Sequence, residues 1–246
     1  MKKNELTTRR EFIYKTGMVS AGVSLGAASL NAMDYNRIRG ANDKIRMGFI
    51  GVGNRGSQLL KLFMDQPDVE VAALCDVYEP YLLRDRSKVD RRYLAVMPGQ
   101  IPVMGEKFPK PPVLYRDYRK LLENKEIDAV CIATPDHWHA LQVIDAVDAG
   151  KDIYVEKPLT ATILEGRKMV EAQVRTGRVV AVGLNRRGNV VFQKLAKEVP
   201  AGKIGRVSVG KAFRINNMFP DGIGKMKAED PPKDFNWDMW LGPRAY

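Results

Sequence analysis

Short apolar runs alternate with longer amphipathic stretches over most of this 246-residue chain. The runs have the length of buried β-strands, and the stretches between them carry apolar residues at helical spacing. One helical face is marked by Ala140, Val143, Ile144 and Val147. Strands and helices in alternation predict a parallel, doubly wound α/β sheet. The predicted strands are Ile45–Ile50, Val69–Cys75, one directly after residue 112, 127–133, 152–155 and 178–183.

The segments between and after these strands carry helix and loop signals. A proline-rich loop is predicted at 97–112, where it could form a rim of the site. After Gly183 the pattern changes, because 206–215 alternates between apolar and polar residues, as in an antiparallel strand with one face in water. We therefore expect 186–246 to begin an α+β domain with a largely antiparallel sheet. The predicted helices are 57–64, 79–96, 115–124, one ending at Gly150, 162–176 and 189–199.

The first predicted strand runs directly into the sequence GVGNRG and a helix. Gly51, Gly53 and Gly56 have the G-x-G-x-x-G spacing, and a strand–turn–helix context is where this spacing binds a dinucleotide. The first glycine allows the tight turn, the second lets the backbone approach a pyrophosphate, and the third lets the helix pack closely. Asn54 and Arg55 lie at the helix start, where free N–H groups hold phosphates. The alternative is an ordinary tight turn.

A carboxylate follows the second predicted strand. Asp76 comes directly after Val69–Cys75, about 20 residues past the glycines, where such a residue accepts from ribose hydroxyls. It would repel a 2′-phosphate, and Val77 and Tyr78 supply no cation, so NAD is expected rather than NADP. We predict that 44–185 is an NAD(P)-binding Rossmann domain.

Composition narrows the function class. The chain is 45% hydrophobic and 28% charged, as in a globular protein, and carries a formal charge of +11. The positive residues form no stripe with interleaved aromatics, so we do not expect nucleic-acid binding. Cys75 and Cys131 lie in predicted buried strands and indicate core packing, not a disulfide framework. With only two histidines, His137 and His139, no metal site is expected.

The N-terminal residues have the order of an export signal. The sequence TRREFI at 8–13 resembles the twin-arginine motif, and a small-residue apolar run follows at 16–30. We expect a signal peptide at 1–33, a linker at 34–43 and export to the periplasm by the twin-arginine machinery. That route carries folded proteins, which would let a cytoplasmic dinucleotide be captured first. The alternative is a disordered tail.

Three polar clusters follow predicted strands, at 134–139, 156–158 and 185–187. Since ligands bind beyond the carboxyl ends of strands in such sheets, these clusters are candidate site residues. Together with GVGNRG and LCD, the sequences ATPDHWHA, EKPLT and VGLNRR resemble the glucose–fructose oxidoreductase, inositol dehydrogenase and MocA (Gfo/Idh/MocA) family. IGRV and WDMWLGP extend the resemblance weakly toward the end. The resemblance implies NAD(P)-dependent hydride transfer, largely on sugars and cyclic polyols.

The resemblance also implies residue roles. Lys157 matches the family's active-site lysine beside the nicotinamide, and at a strand end we expect it to be partly desolvated. Glu156 would touch the nicotinamide ribose, and Thr134 and Pro135 would line the cofactor channel. His139 would orient that loop. The alternative for Lys157 is a surface ion pair with Glu156.

The resemblance also suggests residues that could contact the substrate. His137, Trp138 and Arg186 are candidate substrate residues, although the first two could simply pack. Family members carry an Asp and a His on a helix of their second domain, and nothing before Tyr246 corresponds to them. We therefore expect a C-terminally truncated chain with an incomplete catalytic set. If copies associate, we expect them to use the second-domain sheet.

Three functions remain open at the level of sequence. The leading one is an exported NAD-dependent sugar or polyol oxidoreductase. The second is a glycoside hydrolase that oxidises a sugar transiently with bound NAD⁺; the pattern of those relatives lacks the lysine, so EKPLT argues against it. The third is a non-catalytic dinucleotide-binding fragment.

Overall fold

A computed structural model describes residues 44–96, 98–213 and 227–243. The predicted signal peptide and linker lie outside the described residues. The boundary predicted between 185 and 186 stays a prediction.

The centre of the fold is a six-stranded sheet in which every pair of neighbouring strands is parallel. The strands stand in the order β3-β2-β1-β4-β5-β6, which is the Rossmann order with its switch between β1 and β4. The predicted doubly wound α/β sheet is thereby confirmed. The strands are β1 Ile45–Ile50, β2 Val69–Cys75, β3 Val113–Tyr115, β4 Ala129–Ile132, β5 Asp152–Glu156 and β6 Val180–Gly183.

Helices connect the strands. The helix after β5 begins with a capping box, in which Glu165 N donates to Thr162 Oγ1 over 3.2 Å, and it ends at Gly177, which has a φ of 64°. The helices are α1 Asn54–Met64, α2 Glu79–Leu82, α3 Arg91–Val96, α4 Tyr118–Glu123, α5 Asp136–Asp148, α6 Ile163–Thr176, α7 Val190–Glu198 and α8 Trp237–Leu241. No helix within the described ranges combines the length and the apolar character needed to cross a membrane.

The core has one apolar layer on each face of the sheet. Val130 and Ile132 of β4 face a layer that includes α4, α5 and α6. Cys131 between them faces the other layer, which α1 covers. Cys75 and Cys131 are buried free thiols whose pKa is raised by burial, so the expectation that they are core residues is confirmed.

The single helix predicted over 79–96 is wrong. The structure has α2, a 3₁₀ turn at Arg86–Lys88 and α3 in its place. Arg84 adopts a φ of 56°, which no right-handed helix contains. The Asp85 side chain accepts from Ser87 N, and the Asp90 side chain accepts from Arg92 N. The two aspartates therefore cap the starts of the 3₁₀ turn and of α3.

The strand predicted over 206–215 is not found in its described part. Residues 206–213 are exposed and belong to no strand, and 214–215 lie outside the described residues. A strand needs a partner for its backbone groups, and the described chain supplies none for this segment. The antiparallel sheet expected in the second domain is likewise absent from the described residues.

The last described segment, 227–243, returns to the carboxyl end of β2. Asn236 N donates to Val77 O over 2.9 Å, and Glu79 N donates to Asp234 O over 3.0 Å. An antiparallel bridge joins Tyr78 to Phe235 between these bonds. This contact places α8 at the edge of the sheet where the candidate site residues lie.

Candidate active site

The turn between β1 and α1 needs glycine at two positions for reasons of packing. Gly51 has a φ of 83°, and a Cβ there would lie 2.9 Å from the backbone of Ala133. A Cβ on Gly56 would lie 2.0 Å from Gly51 O, so only glycine lets α1 start this close to β1. The roles predicted for these two glycines therefore have a direct steric cause.

Gly53 differs from its neighbours. A Cβ on Gly53 would meet only the Tyr81 ring, at 3.5 Å, which is an ordinary contact. The packing of the protein therefore does not require glycine here, although Gly53 lines the main cleft. A bound group that approaches the backbone closely would require it, and a pyrophosphate at the start of α1 fits that need.

Asp76 lies against this turn. Its Oδ2 accepts from Val52 N over 2.7 Å and its Oδ1 from Tyr78 N over 2.9 Å. Burial raises the pKa of the Asp76 carboxyl, and the backbone donors and Arg84 act in the opposite direction. Each oxygen retains acceptor capacity, so a ribose hydroxyl in the cleft could still donate to it.

The cleft at this edge of the sheet is largely aromatic and has a volume of about 160 Å³. The glycine turn and Asp76 form its floor, and residues of the last described segment, 227–243 (the distal segment), close one side. Burial raises the pKa of Tyr81, which lines it, to about 12. The aromatic and sulfur-containing side chains that line it are Tyr78, Tyr81, Tyr118, Trp138, Phe235, Met239, Trp240 and Cys75.

A second, more polar cleft adjoins Asp76. It is lined by Glu79 and Asp234 as well as by Arg116 and Lys233. Arg116 forms an ion pair with Glu79. The tertiary structure therefore brings cations near Asp76 that the sequence beside it does not supply, but three carboxylates surround them, which disfavours a 2′-phosphate.

His137 and Trp138 hold the distal segment. Trp138 Nε1 donates to Trp240 O over 3.0 Å, and His137 Nε2 lies 2.9 Å from the same oxygen. Gly242 lies so close to the Trp138 ring that a Cβ would clash at 2.0 Å. These contacts favour the packing interpretation over direct contact with substrate.

His139 joins two loops of the site. It is only 1% exposed; its Nδ1 lies 2.6 Å from Pro158 O, and its Nε2 lies 2.9 Å from Thr134 O. Thr134 Oγ1 donates to Gln142 Oε1 over 2.6 Å. This arrangement agrees with the orienting role predicted for His139, and Thr134 and Pro135 line the main cleft.

Glu156 ends β5 and is buried, and it orders the turn that follows. Glu156 is 4% exposed, and its Oε1 accepts from Arg55 Nε over 2.7 Å. Arg55 therefore reaches from the start of α1 to the end of β5. The Glu156 Oε2 accepts from Lys157 N over 3.1 Å. Both Glu156 oxygens are thus engaged in ordering the site.

The Lys157 side chain is exposed, so its expected partial desolvation is not found. The cause is that no described residue packs over the Lys157 side chain in the turn after β5. The alternative of a surface ion pair with Glu156 is not found either, because Arg55 occupies that carboxylate. Arg186 follows β6 in the turn Asn185–Gly188, and its side chain lies outside the described part.

Sequence reasoning missed Arg84 and Glu106. Arg84 is buried, forms an ion pair with Glu106 at 2.6 Å and donates to Val52 O in the glycine turn. It stands in a charged stretch with no local signal of burial. Within the described ranges, no group of three or more histidine, cysteine or carboxylate side chains could hold a metal ion.

Comparison with known proteins gives solved structures of the same fold. The myo-inositol 2-dehydrogenase of Lactobacillus plantarum is 22% identical with a TM-score of 0.53, over 67% of this chain and 43% of that one. The WlbA dehydrogenase of Bordetella pertussis, solved with NADH and UDP-GlcNAcA, is 23% identical with a TM-score of 0.54, over 68% and 43%. At this identity the likeness shows the fold.

Curated relatives are more similar in sequence. The alpha-N-acetylgalactosaminidase of Shewanella oneidensis and a glycosyl hydrolase family 109 protein of Shewanella sp. strain MR-4 are each 32% identical over 184 residues. The match covers 68% of this chain and 37% of each relative, so the chain spans little more than a third of their length.

A family model extends over the whole parallel sheet. Residues 45–184 match the model described as an oxidoreductase family with an NAD-binding Rossmann fold. This range begins at β1 and ends just after β6, and it contains the glycine turn, Asp76 and Lys157. The chain therefore belongs to the Gfo/Idh/MocA oxidoreductase family and carries its NAD-binding domain.

Proposed function

We propose that this protein is an NAD-dependent oxidoreductase that acts on a CH–OH group of a sugar, sugar derivative or cyclic polyol. The observation that carries the proposal is that four features lie at one edge of the sheet: the glycine turn, Asp76, the partly buried Arg55–Glu156 pair and the exposed ammonium of Lys157. This edge lies at the carboxyl ends of the strands, where such folds bind their ligands.

The division of roles follows from the contacts. The start of α1 and Asp76 would hold the pyrophosphate and the adenosine ribose of NAD. Bound NAD⁺ supplies the acceptor for the hydride. Arg55 and Glu156 fix the turn that carries Lys157, and no described side chain pairs with the Lys157 ammonium. Lys157 would hydrogen-bond the substrate hydroxyl and assist the departure of its proton.

Replacement of Lys157 tests this role. Lys157→Ala should leave NAD affinity nearly unchanged, because the glycine turn and Asp76 are untouched, while turnover falls by about 10²–10⁴-fold. Lys157→Arg should not restore turnover, since a guanidinium does not deprotonate near neutral pH. The measurements are NAD titration and NADH formation over a panel of sugars and cyclic polyols.

The matched control is Lys168→Ala, which removes a lysine of α6 paired with Glu171 on the surface. It should retain normal turnover. Near-normal turnover by Lys157→Ala would show that Lys157 is not the acid–base group. NAD binding without NADH formation on any member of the panel would favour a non-catalytic dinucleotide-binding chain.

A second candidate function rests on the names of the curated relatives. Both carry glycoside hydrolase names at 32% identity, so an NAD-dependent glycosidase is the alternative. Release of the aglycone from an α-N-acetylgalactosaminide without net NADH would favour the hydrolase. NADH formation in proportion to substrate consumed would favour the oxidoreductase. The lysine of EKPLT supports the oxidoreductase.

We also propose that the protein is exported to the periplasm by the twin-arginine machinery. The support is the order of charged, apolar and small residues in 1–33. An NAD-binding protein suits a route that carries folded, cofactor-loaded proteins.

A further inference from the structure

Arg84 makes an unusual set of contacts for a charged residue. It is 8% exposed and adopts a φ of 56°, a left-handed conformation that residues other than glycine rarely adopt. Its guanidinium donates to Glu106 at 2.9 and 2.6 Å, to Val52 O at 2.7 Å and to Ser57 Oγ at 2.7 Å. One side chain therefore contacts the glycine turn, the first turn of α1 and the proline-rich loop.

The contact with Val52 O fixes the orientation of a peptide group. Val52 N donates to Asp76 Oδ2 over 2.7 Å, and Val52 O accepts from Arg84 and from Ser57 Oγ, the latter over 3.0 Å. In a trans peptide the carbonyl and the following N–H point in opposite directions. With Val52 O held inward by Arg84, the N–H of Gly53 is directed outward, on the side of the cleft that Gly53 lines.

Glu106 holds Arg84 from the outer side. It lies in the proline-rich loop, and its side chain is 14% exposed against 6% for that of Arg84. A buried guanidinium without a partner would be costly, so the loop supplies the charge that lets Arg84 stay at the turn. The fork geometry of arginine is needed because a carboxylate, a carbonyl and a hydroxyl are bound at once.

We propose that Arg84 and Glu106 are positioning residues for the dinucleotide: through Val52 they orient the Gly53 amide toward the pyrophosphate. The loop 98–112 then supports the glycine turn from behind, because its Glu106 holds Arg84 in place. This inference rests on the NAD binding proposed above and is independent of which substrate is oxidised.

The test uses the full chain and the double variant Arg84→Met, Glu106→Gln. Removing both charges keeps the net charge unchanged and leaves no unpaired buried ion. We expect the Kd for NAD to rise about tenfold, as for one lost charged hydrogen bond. Amide hydrogen exchange without ligand should accelerate about tenfold at 51–58 and remain unchanged in β4 and β5. Arg84→Lys should give smaller increases in the Kd for NAD and in the exchange rate at 51–58. It replaces the double variant in the test if the double variant does not fold.

Two controls separate positioning from general stability. Asp148→Asn breaks the exposed ion pair with Arg175 and should change neither readout. Lys151→Met removes a buried lysine at the opposite end of the sheet; it should lower the melting temperature but leave NAD affinity and exchange at 51–58 unchanged.

The inference is overturned if both Arg84 variants leave the exchange at 51–58 unchanged, or if Lys151→Met weakens NAD binding as much as they do. An unmodified chain with no affinity for NAD would contradict the proposed function. In that case local exchange alone decides whether the pair holds the turn.

Discussion

At the scale of single residues, Lys151 is a buried cation remote from the glycine turn. It is 3% exposed, and its Nζ donates to Asn124 O over 2.6 Å and to Ile127 O over 2.8 Å. Burial, with a smaller contribution from Lys125, lowers its pKa from 10.5 to about 8. The two carbonyls satisfy the ammonium but do not replace the water that it has lost.

The lowered pKa predicts a pH dependence of stability. Between about pH 8 and 10.5 the unfolded chain binds more protons at Lys151 than the folded chain. The free energy of unfolding should therefore rise with pH across this range, by roughly 2–3 kcal/mol from this group. Lys151→Met lacks this titrating group. In urea denaturation, the free energy of unfolding of the unmodified chain should therefore increase relative to that of Lys151→Met as the pH rises. A constant difference would contradict the prediction.

Residues that act through local spacing could be predicted from sequence. Gly51, Gly53, Gly56 and Asp76 belong to this group, because a turn and the strand beside it impose their spacing. The Arg55–Glu156 pair spans 101 positions and the Arg84–Glu106 pair spans 22. Such pairs depend on how distant elements meet, and no local pattern encodes that.

At the scale of elements, apolar runs predicted the strands well because both faces of a parallel sheet are buried. β1 and β2 have the predicted bounds, and β4 lies within 127–133. The prediction of one helix over 79–96 was wrong because the composition of the whole segment is typical of a helix and gives no sign that Arg84 adopts a positive φ, which ends a helix. The strand predicted at 206–215 is not found in its described part, 206–213, because alternation alone provides no pairing partner.

At the scale of the whole molecule, the described residues complete the dinucleotide side of the site more fully than the substrate side. The cleft at the glycine turn is closed by the distal segment through Phe235 and Trp240, whereas Lys157 stays exposed. The chain spans 37% of the curated relatives it matches.

The proposed export also concerns the whole molecule. If the twin-arginine motif directs it, a double Arg9→Lys, Arg10→Lys variant should accumulate in the cytoplasm, because the apolar run after it is too weak to direct insertion alone. Cell fractionation measures this, and Lys2→Gln, Lys3→Gln is a control that removes charge outside the motif. An unchanged periplasmic yield would show that the motif is accidental.

The proposed oxidoreductase activity depends first on NAD binding through the glycine turn and Asp76. The most direct measurement is calorimetric titration of the full chain and of Asp76→Ala with NAD and with NADP. We predict that NAD binds more tightly than NADP, because carboxylates surround the position of a 2′-phosphate. Asp76→Ala should weaken NAD binding by about 10–100-fold, as for lost charged hydrogen bonds. It should also reduce the difference in affinity between NAD and NADP. Equal or tighter binding of NADP by the unmodified chain would contradict the role proposed for Asp76.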